Sequence, residues 1–196
     1  MGSEMKNVSD MQIGKAGEYL VCADLILRGF VAFPSEQGLA YDVVADCAGR
    51  LIRIQVKTTR EARKVPQREN DTPACLFHVR RCGKGGRQSY ADRDVDMFAL
   101  VDLETRDIGF VFVSDASQTM ILRSSKYRGQ YFNEIMSIRA ATMTAMRADG
   151  KTYKEISVAT GAALATVART CTGQQAPRIE GVYLDELLWE DAYAKV

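Results

Sequence analysis

The 196-residue sequence predicts an α+β fold (an α/β mixed sheet) followed by a small all-α segment. Three observations predict it. Apolar residues recur at helical spacing through residues 9–29. Short apolar or alternating runs, separated by turn residues, then continue to about residue 120. From Glu134 strong helix formers take over. That order suits a sheet domain with an appended helical unit, and the expected boundaries are 8–122, 130–172 and a tail at 173–196.

Each element has a local reason. Ser9 or Asp10 can cap the first helix, Ile13, Ala16, Leu20, Ala23 and Leu27 form an apolar seam, and Gly29 stops it. Glu18 falls about 200° around from Leu20, off that seam. Its one-turn neighbours, Gly14 and Cys22, are small and leave room beside the carboxylate. Phe30 to Pro34 reads as a short strand. Residues 41–45 read as another, and Cys47 to Arg50 closes a hairpin onto residues 51–58. Asp42 stands at a strand start, where β propensity disfavours an acid, so it serves either a turn or chemistry.

In residues 51–57, Leu-Ile-Arg-Ile-Gln-Val-Lys, side chains alternate faces. Ile52, Ile54 and Val56 enter a core, while Arg53, Gln55 and Lys57 share the other face. A carbonyl-type oxygen and an ammonium thus stand side by side on a rigid element. Such a pair can position a metal and a water against a phosphate.

Thr59 to Pro73 reads as a charged loop and Ala74 to Arg80 as a strand. Cys82 to Arg87 reads as a mobile basic turn without the strand-to-helix setting of a P-loop. Val95 to Leu103 and Ile108 to Val113 form a hairpin of buried strands. His78, the single histidine, reads as a packed or surface residue.

Hydrophobic residues make up 46% and charged residues 26%, enough for a proper core. No apolar run approaches the ~20 residues of a membrane span, and no secretory signal is visible. Five scattered cysteines without a close pair argue for reduced thiols and against structural zinc. The expected location is cytoplasmic, nucleoid-associated in a bacterium or an infected host cell. The net charge of +1 hides an asymmetry: residues 50–93 hold twelve Lys or Arg against four acids. A polyanion-binding surface follows, with Arg53, Arg60, Arg63, Lys64, Arg80, Arg81, Lys84 and Arg87 as candidate phosphate contacts. The tail is net acidic; Leu184, Leu187, Leu188 and Trp189 form an apolar face suited to docking or oligomerisation.

Residues 146–171 resemble a helix-turn-helix. Ile156 and Ala159 lie on one helix and Gly161 makes the turn. Leu164, Val167 and Ala168 pack the second helix back on the first. The exposed part of that helix offers Ala162, Ala163 and Ala165, and only Thr166, Arg169 and Thr170 could reach a base edge.

Four segments together resemble the PD-(D/E)XK nuclease superfamily, and most the group I intron-encoded homing endonucleases of that type. They are Gly14-Lys15-Ala16-Gly17-Glu18, Tyr41-Asp42-Val43-Val44, Ile54-Gln55-Val56-Lys57-Thr58-Thr59 and, more weakly, Asp94 to Ala99. The resemblance implies a restriction-endonuclease-like core, double-stranded DNA as substrate and Mg²⁺ as cofactor, with Mn²⁺ as a substitute. It implies Asp42 as metal ligand, Gln55 as second ligand through its amide oxygen, Glu18 as accessory acid and Lys57 as the cation at the reacting phosphate. Gln55 departs from the carboxylate most members carry, which weakens metal affinity. Cutting both strands implies a homodimer or homotetramer. The competing readings are a Holliday-junction-type resolvase and a non-catalytic DNA-binding regulator on a decayed nuclease fold.

Overall fold

The computed structural model describes residues 8–65, 72–83, 86–88, 90, 93–174 and 181–196. The chain divides into two units, Met1–Lys126 with Val182–Val196, and Tyr127–Gly181.

The first unit is mixed α+β. Helix α1 (Asp10–Leu27) begins at Ser9, whose side chain accepts from the Gln12 N–H while Gln12 returns the bond, a reciprocal cap. Strands β1 (Val31–Pro34), β2 (Val43–Cys47), β3 (Arg50–Thr59), β7 (Met97–Asp102) and β8 (Ile108–Phe112) form one sheet in the order β1-β2-β3-β7-β8. Neighbours run antiparallel except β3 and β7, which are parallel. Ala48 and Gly49, both at positive φ, close the β2–β3 hairpin at the expected place.

Between β3 and β7 the chain makes an excursion through β4 (Ala74–His78), β5 (Arg81–Gly83) and β6 (Gly86–Gln88). β5 pairs with β6, and residues 84–85 of the expected mobile turn between them lie outside the described residues. β4 pairs with β9 (Thr119–Arg123), a strand whose mixed composition gave no period-2 signal.

One expectation about packing is corrected. On α1 the buried residues are Gly17, Val21, Cys22 and Leu25, whereas Ala16, Ala23 and Leu27 face solvent. Glu18 therefore borders the buried face instead of lying away from it. The reason is Gly17: a Cβ there would collide with the Thr58 side chain, so only glycine lets this face approach β3. The tail adds to the same core. Leu184 and Trp189 of its apolar face are buried inside the first unit, while Leu188 is 48% exposed. Trp189 lies on helix α5 (Trp189–Tyr193), with ring contacts to Phe30, Phe110 and Tyr193 at 5.1–5.5 Å. Its core cluster joins Val21 and Leu25 of α1 to Ile52, Ile54 and Met97 of the sheet. Gly109 permits this docking, because a Cβ there would lie 2.6 Å from the Leu184 carbonyl oxygen.

The second unit is all helix: α2 (Phe132–Ala148), α3 (Tyr153–Thr160) and α4 (Leu164–Cys171). Met143, Ile156, Ala162 and Val167 form its core. Among the described residues, no helix is long and apolar enough to cross a membrane.

Candidate active site

Asp42 immediately precedes β2 and is pinned through its backbone. Its N–H donates to the Ile54 carbonyl at 2.9 Å, and its carbonyl accepts from the Ser35 N–H at 2.8 Å. These bonds extend the β1–β2–β3 ladder by one residue and aim the side chain at β3. There Asp42 Oδ2 accepts the Val56 backbone N–H at 2.9 Å and the Gln55 Nε2 amide. Lys57 stands two residues beyond Gln55, and its ammonium donates to Tyr90 Oη at 3.0 Å. Glu18, one-fifth exposed, accepts from Lys15 Nζ at 2.6 Å.

The charges of Glu18 and Lys57 both act on the Asp42 carboxyl. Burial pushes the Asp42 carboxyl above the ordinary aspartate range. The Val56 N–H pulls it down, the Glu18 charge pushes it up, and Lys57 and Gln55 pull it down, leaving it raised. A carboxylate disfavoured by burial and by a neighbouring carboxylate is what a bound cation relieves. Asp42 Oδ1 makes no hydrogen bond among the described residues, which leaves a lone pair for such a cation. The donor set of two carboxylates and one amide is all oxygen and suits a hard divalent ion. Among the described residues no cluster of three or more His, Cys, Asp or Glu is arranged for a metal. The Gln55 amide nitrogen faces Asp42; half a turn of the amide presents its oxygen instead.

Two cavities flank this arrangement. One, of about 440 Å³, is lined by Lys15, Glu18, Tyr41 and Asp42. The other, of about 500 Å³, is lined by Asp10, Lys57, Arg60, Glu61, Arg63 and His78. The lone histidine is exposed there, against Thr119 Oγ1 at 3.4 Å.

The expected DNA contacts divide. Arg60 and Arg63 line the second cavity and Lys64 is exposed. Arg80 is partly exposed, and its buried Nε has no hydrogen-bond partner among the described residues. Arg53 is committed to Asp96: its Nη2 and Nε donate at 2.8 and 3.0 Å, and its own backbone N–H donates at 2.7 Å. Burial opposes the Asp96 charge, but the Arg53 bonds outweigh it and hold that carboxyl below its usual range. Lys84 and the side chains of Arg81 and Arg87 lie outside the described residues. In the helical unit Arg169 is exposed and Thr166 partly so.

Sequence reasoning missed Tyr90 and the Lys15–Glu18 pair. The pair had a signal in its i,i+3 spacing. Tyr90 had none, since it is far from Lys57 in the chain.

The profile of the PD-(D/E)XK endonucleases matches residues 8–138, which spans Glu18, Asp42, Gln55 and Lys57. The chain belongs to that family. Among solved structures, a bacterial homing endonuclease, I-Ssp6803I, is similar at 17% identity and a TM-score of 0.45, covering 65% of this chain and 84% of its own. No curated protein matches. Membership makes the chain a nuclease and accounts for the mixed sheet.

Proposed function

We propose that the chain is a Mg²⁺-dependent endodeoxyribonuclease, of homing or restriction type, that hydrolyses phosphodiester bonds in double-stranded DNA. The observation that carries this reading is the Asp42 carboxylate, fixed by the Val56 N–H and beside Gln55, two residues from the Lys57 ammonium. Asp42, Gln55 and Glu18 would hold the ion, which when bound polarises the scissile phosphate and lowers the pKa of a water.

The protein's own groups do the remaining work. Val56 and the ladder bonds fix where Asp42 points. Lys57 supplies positive charge where negative charge grows on the phosphorus, an electrostatic contribution of about 3 kcal/mol. Tyr90 Oη restrains that ammonium, and Lys15 restrains Glu18. Arg60, Arg63 and Lys64 supply sequence-independent phosphate contacts. One chain carries one such site, so cutting both strands calls for a homodimer or homotetramer.

One observation favours a second reading, a non-catalytic DNA-binding protein: position 55 is an amide and brings one negative charge fewer than a carboxylate. Purified protein incubated with supercoiled plasmid in Mg²⁺, Mn²⁺ or EDTA, beside Asp42→Ala, separates the two. Metal-dependent nicking that the variant loses supports the nuclease. Absence of products together with a salt-sensitive duplex shift supports the second reading.

A further inference from the structure

The family match ends at residue 138, inside α2, and leaves α3 and α4 unassigned. We infer that α4 is a major-groove recognition helix that reads duplex DNA chiefly by apolar contact with thymine methyl groups, through Leu164 and Ala165.

The geometry is built from the connection outward. Thr152 caps α3 by accepting the Glu155 N–H, and Glu155 returns the bond. Gly161, at φ 63°, ends α3 in the left-handed conformation, and only two more residues precede α4. Arg139 of α2 donates to the Thr160 carbonyl at 2.6 Å, and Ser157 Oγ donates to the Ala162 carbonyl at 2.7 Å. Both bonds hold the turn. Ile156, Ala162 and Val167 then close the angle between the helices against Met143. A helix pair joined by a glycine turn and braced by a third helix is the arrangement that presents its second helix to the major groove.

The face presented differs from the one the sequence suggested. Ala162 is buried, and Leu164 is not packed inward: it is 54% exposed. Val167 fixes the inner side of α4, so Ala165, Arg169 and Thr172 lie along its outer side with Leu164 on the flank. The first turn of that side, the part of a recognition helix that meets base edges, carries only aliphatic groups. Its match in the groove is the C5-methyl of thymine, which Ala-type and similar apolar side chains contact. Arg169 is the one cation on this side, and its Nε bonds back to the Ala165 carbonyl at 3.3 Å. Lys151 and Lys154, exposed at the start of α3, are where the first helix of such a pair meets the phosphate backbone. Residues 127–181 carry seven Lys or Arg against four acids, a balance that favours DNA over a protein partner.

The test needs no cleavage, so it stands or falls apart from the nuclease proposal. Full-length protein in EDTA selects from a randomised 30-base-pair duplex pool, and binding to the enriched duplex is measured by fluorescence anisotropy. Thymines are then replaced one at a time by deoxyuridine, which removes only the methyl. For at least one thymine, the wild type is expected to lose about fourfold in affinity, the worth of one buried methyl-sized group. Leu164→Ala should lose a similar factor on the thymine duplex and be indifferent to deoxyuridine. Because Leu164 is half exposed, its replacement leaves the core intact, which unchanged helicity by circular dichroism would verify. Lys154→Ala should weaken all duplexes alike and lower the salt slope by about one. The inference is overturned if no sequence is enriched. It is equally overturned if deoxyuridine costs the same in wild type and Leu164→Ala, or if Leu164→Ala changes only self-association.

Discussion

In the sheet unit the candidate site is assembled from separate elements: Glu18 from a helix, Asp42 from the residue before a strand, Gln55 and Lys57 from the next strand, Tyr90 from a distant segment. In the helical unit the contacts that orient α4 lie within one short stretch, between Arg139 and Cys171. The first arrangement depends on non-local packing across a whole sheet, the second on a turn and four buried side chains. The contrast teaches that chemistry at fixed distances is placed where many long-range contacts over-determine it. A surface that only has to lie in a groove can rest on local structure.

The largest effects should separate the two strategies. Trp189→Ala removes the centre of the aromatic cluster and should cost the sheet unit about 3–5 kcal/mol, with plasmid nicking lost as that unit unfolds. Ile156→Ala should cost the helical unit about 2–4 kcal/mol while nicking by the sheet unit persists. Calorimetry read beside nicking assays checks both, and loss of nicking in Ile156→Ala would break the comparison.

Gly17→Ala comes next. The new methyl meets Thr58 and should push α1 from β3 at a cost of about 1–3 kcal/mol. The cleavage rate should fall by more than the drop in Tm accounts for, since Glu18 moves with the helix. Gly14→Ala, with open space around it, is the control and should leave both unchanged.

Arg53→Ala should cost about 1–2 kcal/mol, because it leaves the half-buried Asp96 without its partner. Asp96 is held below its usual pKa, so its contribution is present above the unfolded aspartate value of about 3.9 and is lost as pH falls through the folded value. The gap between wild type and variant in urea denaturation should therefore close in acid. A gap that persists unchanged there would mean packing, not charge, accounts for it.

The smallest expected effect is on titration. In metal-free protein the Asp42 carboxyl should titrate above an ordinary aspartate, and Glu18→Gln should bring it down by removing the like charge. Carbon-13 shifts of the labelled carboxyl read this directly. A rise, or no movement, would separate Glu18 from the site.

Much of the sheet unit was legible because its signals are local. Ser9 capped α1, and the turn residues before Arg50 closed the hairpin. The alternation in β3 put Ile52, Ile54 and Val56 in the core, and Asp42 was singled out by its poor fit to a strand. The buried face of α1 was not legible, since apolar residues surround that helix and only the close approach of Gly17 to Thr58 chooses between them. The face of Trp189 read as docking or oligomerisation because sequence cannot say which surface an apolar face meets. Leu164 read as packed because leucine usually is; the turn at Gly161 rotated it outward. Tyr90 depends on a long-range approach that leaves no periodic trace.

The measurement that bears most directly on the central claim is single-turnover cleavage by Lys57→Ala in Mg²⁺, with DNA affinity measured in parallel on the same preparation. The site described here predicts a loss of about a hundredfold or more in cleavage rate, with affinity within a few-fold of wild type. Cleavage at the wild-type rate would contradict it and place the nuclease chemistry elsewhere in the chain.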